Sequence, residues 1–299
     1  MGNSVTTAFS ESRIKLVNDY LESNLLRFEK SCSQRFEPLI EAMRYSLEGA
    51  GKRLRPILCL SAAEALGLDP KTVLPAACAM EYIHTYSLVH DDLPALDDDD
   101  TRRGKPSSHK RFGEAVAILA GDALLTEAFG QVLLLRESGR FQPAQILGVM
   151  DLLSHHAGVR GMVGGQLLDV TIDTSEASLP EIEFIHIHKT GALILASVLI
   201  PTKLAPIDEE KIQCFRRYGE AIGLAFQISD DLLDSETNFR YSRGPRKKPK
   251  PCYTQIMSPS EMKQKLNLLT DHAIKSISSM GDKTQNLVDI AEFIRSRKA

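Results

Sequence analysis

Apolar residues recur at spacings of three and four along most of this chain, and that period predicts helices rather than strands. Ile14, Val17, Leu21, Leu25 and Phe28 form one such stripe, the spacing that places side chains on one face of a helix. Comparable stripes run through 36–49, 54–66, 74–93, 112–136, 143–158, 180–200 and 208–236, with two more over 259–278 and 284–297. Strand-like alternation bounded by hairpin turns is hard to find. The stretch "GALILASVLI" at 191–200 is apolar nearly all round, as a helix inside a large bundle should be. No linker-like stretch interrupts the pattern before residue 240, so the expectation is a single all-α domain over 1–299. The one break in composition, "RYSRGPRKKPKPCY" at 240–253, reads as a variable, basic, solvated loop.

Composition adds little that is specific. With 43% hydrophobic and 25% charged residues and a net charge of −3, the chain is an ordinary globular protein with no reason to bind nucleic acid. Its five cysteines are widely spaced without a CxxC pair, which argues against a disulfide framework or a zinc site and for a reducing compartment. No apolar run approaches the ~20 residues of a membrane span, and no charged-then-apolar leader opens the sequence. The expectation is a cytoplasmic protein with no stable membrane insertion.

The distribution of charge is informative. Six of the thirty-nine acidic residues fall within 91–100, inside "LVHDDLPALDDDDTRRGKP" at 88–106. Carboxylates that close repel one another unless cations or solvent intervene. Either this is a solvated loop bridged by Arg102 and Arg103, or it is a metal site. A second run, "SDDLLDSE" at 229–236, favours the metal. Asp230 and Asp234 are four apart, so on a helix they lie ~40° apart in angle and ~6 Å apart along the axis. Gln227, four before Asp231, shares that face. Asp91 and Asp97 are about a third of a turn out of phase on an ideal helix, but Pro94 lies between them and displaces the turn. A broken helix end could bring both carboxylates to one ion. Neither run matches a calcium loop. Two acidic clusters on separate helices point to facing walls that hold several magnesium ions, which bind through a few carboxylates, water and substrate phosphates. Cations for such a substrate are present in "GKRLRP" at 51–56, "TRRG" at 101–104 and "HKTG" at 188–191.

Taken in order, "GKRLRP", "HDDLPALDDDDTRRG", "GMVGGQLLD", "HKTGAL" and "GLAFQISDDLLD" resemble the signature of the trans-isoprenyl diphosphate synthases, most closely the bacterial farnesyl diphosphate synthases. The resemblance runs from about residue 38 to 236 and implies the isoprenoid-synthase helical bundle with a central active-site cavity. It also implies a homodimer, several magnesium ions (three by family expectation), and head-to-tail condensation of isopentenyl diphosphate with an allylic diphosphate. On it, Asp91 and Asp97 ligate magnesium with Asp92 in support, Asp230 ligates from the second motif, and Asp231 and Asp234 ligate through water or orient. Lys52, Arg55, His84 and Arg103 correspond to the isopentenyl diphosphate clamp. Arg102, Lys189, Thr190 and Gln227 correspond to the allylic site, where the Gln227 and Thr190 oxygens sit beside the allylic cation. Gln166 and Asp169 are expected to face the cavity. His188 is expected to be structural, and Thr101 and Asp98–Asp100 to be helix-end or solvated positions.

The sequence departs from the family after the second acidic motif, where "KPCYT" at 250–254 stands in place of the usual lysine and "TYP"-like segment. Lys250 aligns with the allylic-phosphate lysine, with Lys248 as a substitute. For chain length, helical phase alone does not choose between Tyr86 and Ser87. The resemblance does: an aromatic at Tyr86, with the two extra residues of "DDLPALD", is the pattern of enzymes that stop at farnesyl. The rival readings are a geranylgeranyl diphosphate synthase, a class I terpene cyclase and a catalytically silent regulatory homologue.

Overall fold

The computed structural model describes residues 2–48, 51–173, 177–236 and 251–297. Among them are thirteen α-helices and a single two-stranded hairpin, so the all-α expectation holds. The chain divides into two compact units, Met1–Leu60 with Pro70–Ile146, and Ser61–Asp69 with Leu147–Ala299.

The first unit contains α1 (Gly2–Ser31), α2 (Glu37–Leu47), the start of α3 (Leu54–Ala65), α4 (Pro70–Asp91), strands β1 (Thr101–Arg102) and β2 (Lys105–Pro106), α5 (Ser108–Phe112) and α6 (Glu114–Leu133). The α1 stripe buries Val17, Leu21 and Leu25. Helix α4 starts at Pro70, where a missing N–H costs nothing because first-turn donors have no helical partner. It is buried almost all round from Val73 to Tyr86. At its C-terminal end it packs on α6 across Gly121, where an added Cβ would sit 2.0 Å from His90 Nε2. Only glycine permits that approach, and it leaves His90 Nε2 3.0 Å from the Ile118 carbonyl oxygen.

The second unit contains most of α7 (Pro143–Ala157), α8 (Met162–Thr171), α9 (Leu179–His186), a π-helical stretch (Ile187–Gly191), α10 (Ala192–Leu204), α11 (Glu209–Glu236), α12 (Pro259–Ile277) and α13 (Gln285–Ser296). Capping boxes start α9 and α12: the Ser178 and Ser258 N–H groups donate to Glu181 and Glu261 at 2.9 and 2.8 Å, satisfying donors the helix cannot. Helix α10 is the all-apolar segment expected inside a bundle, with Leu193, Ile194, Val198 and Ile200 fully buried. Helix α8, within "GMVGGQLLD", was not among the expected stripes because its glycines break the apolar period. All five cysteines are free. Helix continuity joins apolar runs that are short in sequence: Glu114–Ser138 and Leu179–Leu204 have the length and composition to cross a membrane, and 61% of the second window is buried within the protein.

Candidate active site

In the first unit the site is built on the C-terminal end of α4. Past Asp91 the chain curls back over the helix end. The Asp97 N–H donates to the Asp91 carbonyl at 2.8 Å, the Asp98 N–H to Leu93 at 3.1 Å and the Asp99 N–H to Asp92 at 3.2 Å. The break at Pro94 thus lays the backbone of Asp97 on that of Asp91, the juxtaposition that two ligands of one ion need.

Asp92 is 2% exposed and is gripped by Arg102, whose Nε donates to both its oxygens at 3.0 and 3.3 Å. Arg102 Nη2 also donates to Asp92 and reaches Asp99 at 3.4 Å. Burial raises the Asp92 pKa and Arg102 opposes the rise, so this carboxylate is a buried anchor for the arginine. Arg102 lies in β1, paired with Lys105 in β2. The two turn residues, Arg103 and Gly104, take φ values of +54° and +77°, the left-handed pair of a two-residue hairpin. Thr101, expected at a helix end, is therefore a strand residue.

The hairpin turns Arg103 towards the "GKRLRP" segment: its Nη1 lies 2.8 Å from where a Cβ on Gly51 would stand, so Gly51 leaves room for it. In that segment Lys52 is exposed and Arg55 buried. Between them Arg53, at φ +48°, donates from Nη1 to Glu81 at 2.6 Å and from Nε to Asn18 at 2.9 Å, and Nη2 donates to the Leu47 carbonyl. This ion pair, 3% and 2% exposed, fixes the backbone that carries Lys52 and Arg55. Half-buried His84 has its pKa held well below the usual range, first by burial and then by Arg55, Arg103, Arg102 and Arg53. A neutral imidazole ringed by guanidinium groups marks a positive field suited to an anion with several oxygens. Deeper on α4, Tyr86 is 6% exposed, its ring edge-on to His90 at 5.8 Å. The half-buried Ser87 hydroxyl donates to the His84 carbonyl at 2.9 Å.

Among the described residues one further group has ligand-like spacing: Asp98, Asp100 and His109, with donor atoms within 4.8 Å of one another. Asp98 and Asp100 are exposed as expected, but His109 was not anticipated. Asp100 is already paired with Lys110 at 2.8 Å.

In the second unit, α8 carries Gln166 and Asp169 on one face. Gly165 admits the π-helical stretch so closely that an added Cβ would meet the Lys189 nitrogen at 2.2 Å. Lys189 Nζ is thereby brought within 2.5 Å of Asp169. Both polar atoms of the Gln166 amide are buried without a partner. A π-bulge commonly marks a functional position because it re-aims the side chains around it. Next to it, Gly191 meets Gly223 of α11, where an added Cβ would sit 2.9 Å from the Gly191 Cα. That crossing brings Thr190 Oγ1 to Gln227 Oε1, a donation of 3.0 Å. Gln227 Nε2 in turn donates to Asp231 at 3.1 Å, and the Tyr253 N–H donates to the other Asp231 oxygen at 2.7 Å. Asp231, 2% exposed, therefore orients the amide, while Asp230 and Asp234 are more exposed. Asp230 accepts from Arg297 Nη2 at 2.7 Å. His188 Nδ1 lies 2.7 Å from the Phe184 carbonyl, and its ring lies against Phe184 at 4.1 Å. Lys248 and Lys250 lie outside the described residues.

Among the described residues, each unit therefore offers carboxylate oxygens beside fixed cations, a donor set that fits a hard divalent ion such as magnesium. Sequence reasoning missed Arg53, Glu81, His109 and Arg297. Arg53 stood inside a recognised motif, whereas the others carried no local signal.

The sequence profile described as polyprenyl synthetase matches residues 36–243. A farnesyl diphosphate synthase of Geobacillus stearothermophilus is 42% identical over 263 residues, spanning 87% of this chain and 88% of that protein. A geranylgeranyl diphosphate synthase of Cyanophora paradoxa is 43% identical over 265 residues, 87% of each. Among solved structures, a geranyltransferase from Legionella pneumophila superposes with a TM-score of 0.87 at 31% identity, covering 99% of both chains.

Proposed function

The chain belongs to the polyprenyl synthetase family, and on that premise we propose that it is a magnesium-dependent farnesyl diphosphate synthase. The coarser activity, short-chain trans-prenyl diphosphate synthesis, comes with the family. The finer reading is elongation of dimethylallyl and geranyl diphosphate by isopentenyl diphosphate, stopping at C15. It includes a cytoplasmic homodimer and three magnesium ions per site.

Each side chain then has a task. Asp91 and Asp97 in the first unit, and Asp230 with Asp234 acting through water in the second, would hold magnesium, which when bound would supply charge stabilisation for a departing diphosphate. Asp92 positions Arg102, and Asp169 positions Lys189, so both cations are aimed before substrate arrives and need little reorganisation. The Thr190 and Gln227 oxygens offer electron density to an allylic cation without the nucleophilicity to trap it. Gln227 keeps that orientation because Asp231 accepts from its amide. Apolar helices exclude water, which would otherwise convert the cation to an alcohol. The released pyrophosphate accepts the last proton, so no carboxylate base is assigned.

The observation that carries this reading is the packing of Arg103 against Gly51 of the segment that bears Lys52 and Arg55, a gathering of cations that also acts on His84. A terpene cyclase has no second diphosphate to hold and would have no use for such a field. Tyr86, buried one and a half turns before Asp91, supports C15. The likeness to the geranylgeranyl synthase keeps C20 as the second reading. Arg55→Gln tests the clamp. Loss of one charge-assisted hydrogen bond, about 1.5–3 kcal/mol, should raise KM for isopentenyl diphosphate roughly ten- to a hundredfold with little change for the allylic substrate. A rise confined to the allylic KM would overturn the assignment.

A further inference from the structure

Arg297 lies just past the end of α13, beyond the residues 36–243 that the family profile matches, and its guanidinium reaches the second acidic motif. Its Nη2 is 2.7 Å from Asp230 Oδ1, and its guanidinium lies over the Phe226 ring at 4.8 Å. Phe226 and Asp230 are one helical turn apart on α11, so the arginine lies flat along the face that carries the acidic ladder. Its side chain is only 8% exposed. Nε and Nη1 are both buried without a partner. A guanidinium has five N–H donors, and burying some of them unpaired is unfavourable. The contacts that hold it are therefore the Asp230 carboxylate and the aromatic face. Beside it is a cavity of about 220 Å³, lined by Ser229, Leu233, Lys263, Asn267, Arg295 and Arg297 itself; its other cations, Lys263 and Arg295, leave Asp230 as the acid on which the guanidinium rests.

We propose that Arg297 is a built-in counter-cation of the second acidic wall, which occupies Asp230 in the metal-free enzyme and yields it to a divalent ion. The inference rests on the reading of Asp230 as a metal ligand. It makes arginine and metal competitors for one carboxylate. By linkage, metal binding then weakens the hold on the C-terminal segment by the same factor by which that hold weakens metal binding. The arginine also relieves repulsion between Asp230, Asp231 and Asp234 when no metal is present.

The test uses the full chain with magnesium alone and reads binding by calorimetry and by thermal shift. Arg297→Gln should lower the Tm of the metal-free protein, bind magnesium roughly threefold or more tightly, and show a larger magnesium-induced rise in Tm. Arg297→Lys, which keeps the charge and loses the planar stacking, should fall between and covers the case in which the glutamine variant folds poorly. Asp230→Asn, run in parallel, should weaken magnesium binding. If Asp230→Asn weakens binding but Arg297→Gln leaves it unchanged or weaker, the competition is wrong and Asp230 remains a ligand. If Asp230→Asn has no effect, both the ligand reading and the competition are overturned.

Discussion

Replacing Glu81 by glutamine would remove one charge from a pair that the fold has almost completely dehydrated. Arg53 and Glu81 are 3% and 2% exposed and 2.6 Å apart. Deleting one partner of such a pair leaves an uncompensated buried charge, which typically costs about 3–5 kcal/mol. Arg53 would keep its donations to Asn18 and the Leu47 carbonyl, so the lower end, about 3 kcal/mol, is expected. At roughly 2–4 °C per kcal/mol for a chain of this size, the Tm should fall by about 6–12 °C. The loss should also reach function, because Arg53 holds the backbone between Lys52 and Arg55. At a temperature where the variant is folded, KM for isopentenyl diphosphate should rise more than kcat falls. Thermal unfolding followed by circular dichroism, with steady-state kinetics, measures both. The double variant Arg53→Met/Glu81→Met should regain much of the stability, since an apolar pair of similar volume carries no desolvation penalty, but not the affinity. A Glu81→Gln protein within 1 °C of wild type, or a double variant no more stable than the single, would refute the reasoning.

Other outcomes follow from the same geometry. Tyr86→Ala should open apolar volume below the first acidic motif at a cost of about 3 kcal/mol and shift the product to C20 and longer; an unchanged C15 product from folded protein would put the floor of the pocket elsewhere. His156 has its pKa lowered to about 4, first by burial and then by His155 and Arg216. Its folded value therefore lies below the unfolded ~6.5. Between those values the unfolded chain holds a proton that the folded chain does not, so stability should fall as pH drops from 6.5 to 4 and be unaffected above 6.5. His156→Gln should flatten that slope in Tm measured at pH 7 and 4.5, and equal slopes would contradict it.

The helices were legible because an apolar stripe has to be buried: the stripes at 54–66, 143–158, 208–236 and 259–278 became α3, α7, α11 and α12. What escaped was set by contacts distant in sequence. Helix α8 was hidden by its glycines, of which Gly165 lets the Lys189 backbone approach. The hairpin at 101–106 was hidden because Arg103, not glycine or asparagine, takes the first left-handed turn position. In the site, the Asp230 and Asp234 spacing could be read from helical phase, and Pro94 indicated a turned-back loop. That Asp92 serves Arg102, and Asp231 the Tyr253 N–H, could not, because partners 10 and 22 residues away leave no periodic trace. The Arg53–Glu81 and Asp230–Arg297 pairs belong to the same class.

The central claim, that this chain elongates allylic diphosphates with isopentenyl diphosphate and stops at C15, is tested most directly by one incubation. Purified protein is given isopentenyl diphosphate, each allylic primer in turn and magnesium, and the products are dephosphorylated and separated by chain length. The account predicts farnesol from both dimethylallyl and geranyl primers, with no product when EDTA replaces magnesium. A C20 product would contradict the farnesyl assignment, and the absence of any elongated product in the presence of magnesium would contradict the enzyme itself.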